Sequence, residues 1–145
     1  MTSGEFIIRS RNDFSPAEIG HLEDGLYEFN RNAIGRHDGL GLGFAATDSD
    51  GTQFGAIAGY SWAGMAEIKQ LWVAKSHRGF GHGRALLEAF IAEAIIRKCK
   101  IIWVVSHAFQ APGLYEKCGF QRVTTLAGWP PGHSLVVLNR WLSPA

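Results

Sequence analysis

Ile68-Lys69-Gln70-Leu71-Trp72-Val73, followed closely by His77-Arg78-Gly79-Phe80-Gly81-His82-Gly83-Arg84, is the stretch on which the reading of this chain turns. Its first part is an apolar run of strand character. Beyond the glycines, Ala85, Leu86, Leu87, Phe90, Ile91, Ala94 and Ile95 recur at helical spacing. The order is strand, glycine-rich turn, helix. Free backbone N–H groups at a helix start, with no Cβ atoms in the way, form a cradle for phosphate. The helix dipole adds about 0.3–1 kcal/mol for an anion there, and each charge-assisted hydrogen bond about 1.5–3 kcal/mol. The segment therefore reads as a pyrophosphate site.

Three phosphate-binding patterns compete for it. A Walker-type loop needs Lys-Ser/Thr after its last glycine, whereas Arg84-Ala85 follows Gly83. A dinucleotide fingerprint starting at Gly79 needs glycine at position 84, which is arginine. Arg/Gln-x-x-Gly-x-Gly/Ala does fit, as Arg78-Gly79-Phe80-Gly81-His82-Gly83. Downstream comes Ala111-Pro112-Gly113-Leu114-Tyr115-Glu116-Lys117-Cys118-Gly119-Phe120. On these two segments and their spacing the chain resembles the GNAT superfamily of N-acetyltransferases, from about Phe44 to Trp141.

Length and composition set the bounds. A chain of 145 residues with 46% hydrophobic content is expected to form one globular domain, here spanning residues 1–145. A net charge of +1 without a basic run argues against nucleic acid as partner. No apolar run is long enough to span a bilayer, and Met1-Thr2-Ser3-Gly4-Glu5 lacks the plan of a signal peptide. Two cysteines, Cys99 and Cys118, do not make a disulfide framework. A cytoplasmic location is the default expectation.

Along the chain, Phe6-Ile7-Ile8-Arg9 reads as an opening strand. Ser15-Pro16-Ala17-Glu18 carries a capping box with proline at the first helical position, and Ile19, Leu22, Leu26 and Phe29 make an apolar stripe. Asn30 to Gly43 reads as a loop or a broken second helix. Strands are expected at Gly43–Thr47 and Phe54–Trp62, joined by Asp48-Ser49-Asp50-Gly51, then at Ala66–Val73. After the long helix come a strand at Ile101–Val105, a short helix with Tyr115, and strands at Phe120–Leu126 and Ser134–Trp141. The fold class is α/β. The resemblance implies a central, mixed but mostly antiparallel sheet of about seven strands, helices on both faces and a V-shaped splay between two central strands.

The resemblance also implies acetyl-CoA as acyl donor, a primary amine as acceptor and no metal. The phosphate cradle falls on Gly79, Phe80, Gly81, His82, Gly83 and the N–H of Arg84, with Arg78 and Arg84 adding charge. His82 reads as a spectator there, and Arg84 equally as a solvated helix residue. Leu71, Trp72 and Val73 would bind the pantetheine arm through backbone exposed by the splay, with an N–H near Val73 stabilising the oxyanion. Tyr115 would protonate the departing thiolate, since a phenol is protonated at neutral pH. Candidates to deprotonate the amine are Glu67, His107 and ordered water. Glu67 stands six residues before Val73, so a regular strand puts it on one face with Lys69, Leu71 and Val73; a bulge would reverse that.

Many members carry asparagine seven residues before the tyrosine, where this chain has Ala108; Ser106, His107 and Gln110 are its nearest substitutes. Trp129 and His133 in the Pro130-Pro131 link either line an acceptor pocket or cap the core. Val136, Val137 and Leu138 suit a homodimer contact or the core equally. A small-molecule amine, a protein lysine or N-terminal amine, and a non-catalytic acyl-CoA-binding regulator all remain open readings.

Overall fold

The computed structural model describes residues 4–143. The chain falls into two compact units, Met1–Arg36 and His37–Ala145.

The first unit contains one helix, α1 (Pro16–Ile34). Its start is the expected capping box: the Glu18 N–H donates to Ser15 Oγ at 3.1 Å, and the Ser15 N–H donates to Glu18 Oε1 at 3.2 Å. Gly35, in the left-handed region, ends it. Helix therefore covers Asn30 to Ile34, where a loop or broken helix was expected. The stripe of Ile19, Leu22, Leu26 and Phe29 is present but at least 41% exposed throughout. The opening strand at Phe6–Arg9 is not formed. A strand exists only by pairing, and these residues have no ladder partner among those described, so the sheet has six strands rather than about seven.

The second unit is built from β1 (Leu40–Thr47), β2 (Gln53–Trp62), β3 (Met65–Val73), α2 (His82–Ile96), β4 (Ile101–His107), α3 (Pro112–Lys117), β5 (Gln121–Ala127) and β6 (Ser134–Trp141). The sheet order is β1-β2-β3-β4-β6-β5. Every neighbouring pair is antiparallel except β3 and β4, the pair that α2 connects. The β1–β2 link turns on Asp48, whose Oδ1 accepts from the N–H groups of Asp50 and Thr52. One apolar stripe of α2 (Leu86, Leu87, Phe90, Ile91 and Ala94) is buried against the sheet, in a core that also takes Tyr115, Cys118 and Phe120. Val136 and Leu138 are wholly buried, so they belong to the core rather than to a dimer surface. Both cysteines are free and buried.

One irregularity decides which side chains reach which face. On β2, Ile57, Gly59 and Ser61 point to the core side. Their partners on β3 are Leu71, Ile68 and Ala66, so Lys69 is an extra residue bulged out of the ladder. The bulge reverses the alternation. Leu71 and Val73 fall on the core face, while Glu67, Gln70 and Trp72 fall on the opposite one, paired with Tyr60, Ala58 and Ala56. The expectation that Glu67 shares a face with Lys69, Leu71 and Val73 is thereby corrected. Gly59 permits the bulge, because a Cβ there would run into the Glu67 carbonyl oxygen.

Gly59→Ala should therefore destabilise the protein by about 1–3 kcal/mol, as overpacking against backbone does. Urea denaturation checks this, and an unchanged midpoint would mean that the bulge does not need glycine opposite it.

Candidate active site

The parallel ladder between β3 and β4 stops early. It runs from Met65 and Ile101 to Ile68 and Val104 and no further. Beyond that point β3 continues to Val73 on its β2 partner, and β4 continues to His107 on β6. The two strands diverge and leave unpaired backbone on both sides of a gap. The Ala74 N–H donates to the Phe54 carbonyl at 2.7 Å, toward β2. Alternation along the strand then turns the N–H groups of Val73 and Leu71 toward the gap.

A cleft of about 560 Å³ fills the gap. Leu71, Trp72 and Val73 form one wall, Val104, Val105 and Ser106 the other. The turn contributes His77, Arg78, Gly79, Gly81, His82 and Gly83, and α3 contributes Leu114 and Tyr115. Most of the residues singled out in the sequence thus meet in one cavity. Phe80 and Arg84 do not line it. The Phe80 side chain is 73% exposed, and Arg84 turns away to pair with Glu88 at 2.9 Å.

The turn has the form a cradle requires. Gly79 and Gly81 sit at φ +84° and +83°, where L side chains are strained. Gly81 is also the N-cap of α2, with no side-chain cap. From Gly79 to Arg84, no backbone N–H donates to another described residue. The loop is nonetheless held firmly. The Arg78 guanidinium donates through Nε to the Val73 carbonyl at 2.8 Å, tying the turn to the strand end. The His77 ring stacks on Phe54 at 4.1 Å, and His82 meets Phe54 edge-on at 4.7 Å. The two histidines thus anchor the loop by packing.

Tyr115 is buried, with its ring edge-on to Phe120 at 5.7 Å. Burial pushes its phenol up to about 12. The group is therefore a persistent proton donor across the neutral range. Its hydroxyl makes no hydrogen bond to a described residue.

The candidates for proton acceptance are placed differently. Among the described residues, no carboxylate lines the cleft. Glu67 adjoins it through Ile68, on the face it shares with Gln70 and Trp72. Its Oε1 accepts from Tyr60 Oη at 2.7 Å, and Lys69 Nζ lies 3.7 Å from Oε2. Burial first, and the Glu67 carboxylate second, push the Tyr60 phenol above its ordinary range, so it remains the donor in this pair. His107 is committed to structure: its Nδ1 faces the Trp129 carbonyl at 3.2 Å and its ring stacks on Phe109.

Two further participants complete the site: Gln110, expected as a substitute for the missing asparagine at Ala108, and Tyr60, which was not singled out beforehand. Gln110 lines the cleft, and its Oε1 accepts from the His107 N–H at 2.8 Å, closing the end of β4 where Ala108 leaves no side-chain polar group. Tyr60 holds Glu67 from the neighbouring strand. The pair is set by the tight turn between Trp62 and Met65, in the regular register that precedes the bulge. Trp129 and His133 pack at the same end, His133 edge-on to Phe109 at 5.4 Å, outside the cleft lining.

Comparison with known proteins agrees with this geometry. A family model described as an acetyltransferase (GNAT) domain matches residues 36–122. An acetyltransferase of Agrobacterium fabrum is 25% identical over 119 residues, which cover 82% of this chain and 87% of that one. Blasticidin-S acetyltransferase of Streptomyces morookaense is 32% identical over 81 residues, covering 54% of this chain and 58% of the relative. The crystal structure of an acetyltransferase from Bacillus cereus superposes with a TM-score of 0.75 at 23% identity, over 92% of this chain and 98% of that one.

Gly81→Trp places an indole where the free N–H groups converge. It should abolish acetyl-CoA binding measured by calorimetry while the far-ultraviolet circular dichroism stays native. Unchanged affinity would remove the turn from donor binding.

Proposed function

This chain belongs to the GNAT acetyltransferase family and is an acyltransferase; on that premise we propose that it transfers an acetyl group from acetyl-CoA directly to a small-molecule primary amine. The observation that carries the reading is the early end of the β3–β4 ladder. It leaves unpaired backbone, a row of free N–H groups from Gly79 to Arg84, and a buried tyrosine around one cleft.

In the proposed reaction the pyrophosphate of acetyl-CoA takes the N–H groups of the turn, with the α2 dipole behind them. The pantetheine arm lies in the gap against Leu71 to Val73. The amine nitrogen attacks the acetyl carbonyl carbon and a tetrahedral intermediate forms, its oxyanion accepting from the Val73 N–H. The C–S bond then breaks, Tyr115 gives its proton to the departing thiolate, and the second proton lost by the acylated nitrogen restores the phenol. Glu67, held by Tyr60 on the face that carries Gln70 and Trp72, receives the proton that the ammonium must lose, directly or through water. Because both substrates meet in one cleft, no covalent acyl-enzyme is needed. Cys118, buried behind α3 with its thiol pushed up by that burial, is unsuited to forming one.

Two facts favour a small acceptor over a protein. The relative that acetylates blasticidin S shares 81 aligned residues with this chain. The net charge of +1 supplies no strong field for steering a charged protein partner.

Free-thiol release should be followed with acetyl-CoA and a panel of nucleoside and aminoglycoside antibiotics, polyamines, amino acids and lysine peptides. Release is expected with one small-amine class and not with the peptides; release with peptides alone would reassign the acceptor. On the responding amine, Tyr115→Phe should lower kcat about tenfold or more, since general acid catalysis is worth about 10²–10⁴-fold. Its acetyl-CoA affinity should change little. Equal kcat would exclude Tyr115 as the acid.

The raised Tyr115 pKa sets a pH expectation. A phenol that loses its proton near 12 stays protonated when the pH rises from 8 to 10, so kcat should hold across that interval. A fall in kcat with a midpoint near 10 would indicate an ordinary, solvated phenol instead.

A further inference from the structure

The bulge on β3 also brings a primary amine to the cleft. Lys69 has no pairing partner on β2, since Ala58 faces Gln70 and Gly59 faces Ile68. Its side chain is thereby released from the alternation of the ladder. Lys69 lines the cleft, whereas Lys75, Lys98, Lys100 and Lys117 do not. Its Nζ lies 3.7 Å from Glu67 Oε2 and 5.8 Å from the centre of the Tyr60 ring. The amine thus sits between a carboxylate and the face of an aromatic ring, two surroundings that attract an alkylammonium. It is not locked there. The contact with Glu67 is longer than a hydrogen bond, and the Lys69 side chain is 59% exposed.

Glu67 is the proposed proton acceptor for an incoming amine, and Lys69 presents it with one from the chain itself. On the proposed reading of the cleft, the acyl end of the donor lies against Leu71 to Val73, on the same strand as Lys69 and just beyond it. The flexible four-carbon stem lets the nitrogen turn from Glu67 toward the gap. A tethered amine meets the acyl carbon at little further cost in entropy. Well-oriented intramolecular reactions reach effective concentrations on the order of 10⁵–10⁸ M, so even an imperfectly aimed lysine outcompetes one that must arrive from solution.

We propose that Lys69 is a self-acetylation site: with acetyl-CoA bound and no acceptor present, its ε-nitrogen takes the acetyl group. The ammonium first gives a proton to Glu67. The neutral nitrogen attacks the acetyl carbonyl carbon, a C–N bond forms and the C–S bond breaks. Coenzyme A leaves as the thiol with the Tyr115 proton, and the second proton lost by the nitrogen restores the phenol. The product is a neutral amide, so the ion pair with Glu67 ends. The inference rests on the reading of the cleft as an acetyl-CoA site.

The test is incubation of the full chain, with Lys69 first verified as unmodified, with acetyl-CoA and no amine, followed by peptide mass spectrometry over time. Lys69 should gain an acetyl group at least tenfold faster than Lys75, Lys98, Lys100 or Lys117. At fixed acetyl-CoA, its rate per molecule should not change when the protein is diluted tenfold. Glu67→Gln should slow the modification tenfold or more. Lys69→Arg, which keeps the positive charge, should take no acetyl group at that position while still binding acetyl-CoA. Gly81→Trp should bring Lys69 down to the rate of the other lysines. Acetylation spread evenly over the lysines of wild type would overturn the proposal, since that is chemical acylation from solution. So would a rate at Lys69 that falls on dilution, which is transfer between copies. An unmodified Lys69 in a protein that binds acetyl-CoA by calorimetry would overturn it while leaving the reading of the cleft intact. Wild type that does not bind acetyl-CoA would instead overturn that reading, and this inference with it.

Discussion

The parting of β3 from β4 after Ile68 and Val104 is the constraint on which the rest of the structure depends. Backbone N–H and C=O groups inside a sheet are normally consumed by neighbouring strands. Here two central strands each keep one outer partner and lose one inner partner. The polar edges thus released are held rigid from behind by β2 and β6. A cleft built this way needs few specialised side chains, because the main chain itself supplies hydrogen-bonding groups. The bulge at Lys69 belongs to the same feature. It lies where the ladder ends, and it places Leu71 and Val73 in the core while sending Gln70 and Trp72 to the other face.

Around that gap, two kinds of electrostatic preparation coexist. The turn at Gly79 to Arg84 concentrates unpaired donors at a helix start, which favours an anion without any formal charge on the loop's own backbone. Tyr115 is prepared in the opposite sense, because burial penalises its anion and keeps the proton in place. Free backbone donors at one end of the cleft and a neutral acid beside the splay are the features on which the proposed use of a thioester donor rests. The glycines make the first possible, and the packing of α3 on β5, with Tyr115 in the buried core, makes the second.

The Tyr60–Glu67 pair and the Gln110 contacts show how neighbouring strands and turns finish what single segments begin. Glu67 is held by a residue seven positions earlier, across a hairpin, at 2.7 Å. Gln110 bonds back to His107 and closes the end of β4. The first partner is chosen by strand register and the second by the turn that follows β4.

Much of this was legible in the residues themselves. Periodicity and turn chemistry located α2, the hairpin at Asp48 to Gly51 and β6, because those signals act over a few residues and every local preference agrees. The capping box at Ser15 and Glu18 appears as written. The glycine turn proposed to bind the donor was legible for the same reason: positive-φ glycines between a strand and a helix are a local requirement. Phe6 to Arg9 was misread as a strand, since apolar character does not supply a pairing partner. The face of Glu67 was misread too, since one bulged residue reverses all alternation beyond it. The sequence by itself determined the elements, the turn and the residue types offered to the site. Only tertiary structure decided where the β3–β4 ladder ends, which face Glu67 occupies and that Tyr60 would hold it. The first depends on pairing between segments far apart in the chain, and the others on the register of the β2–β3 hairpin, which no single residue's local preference encodes.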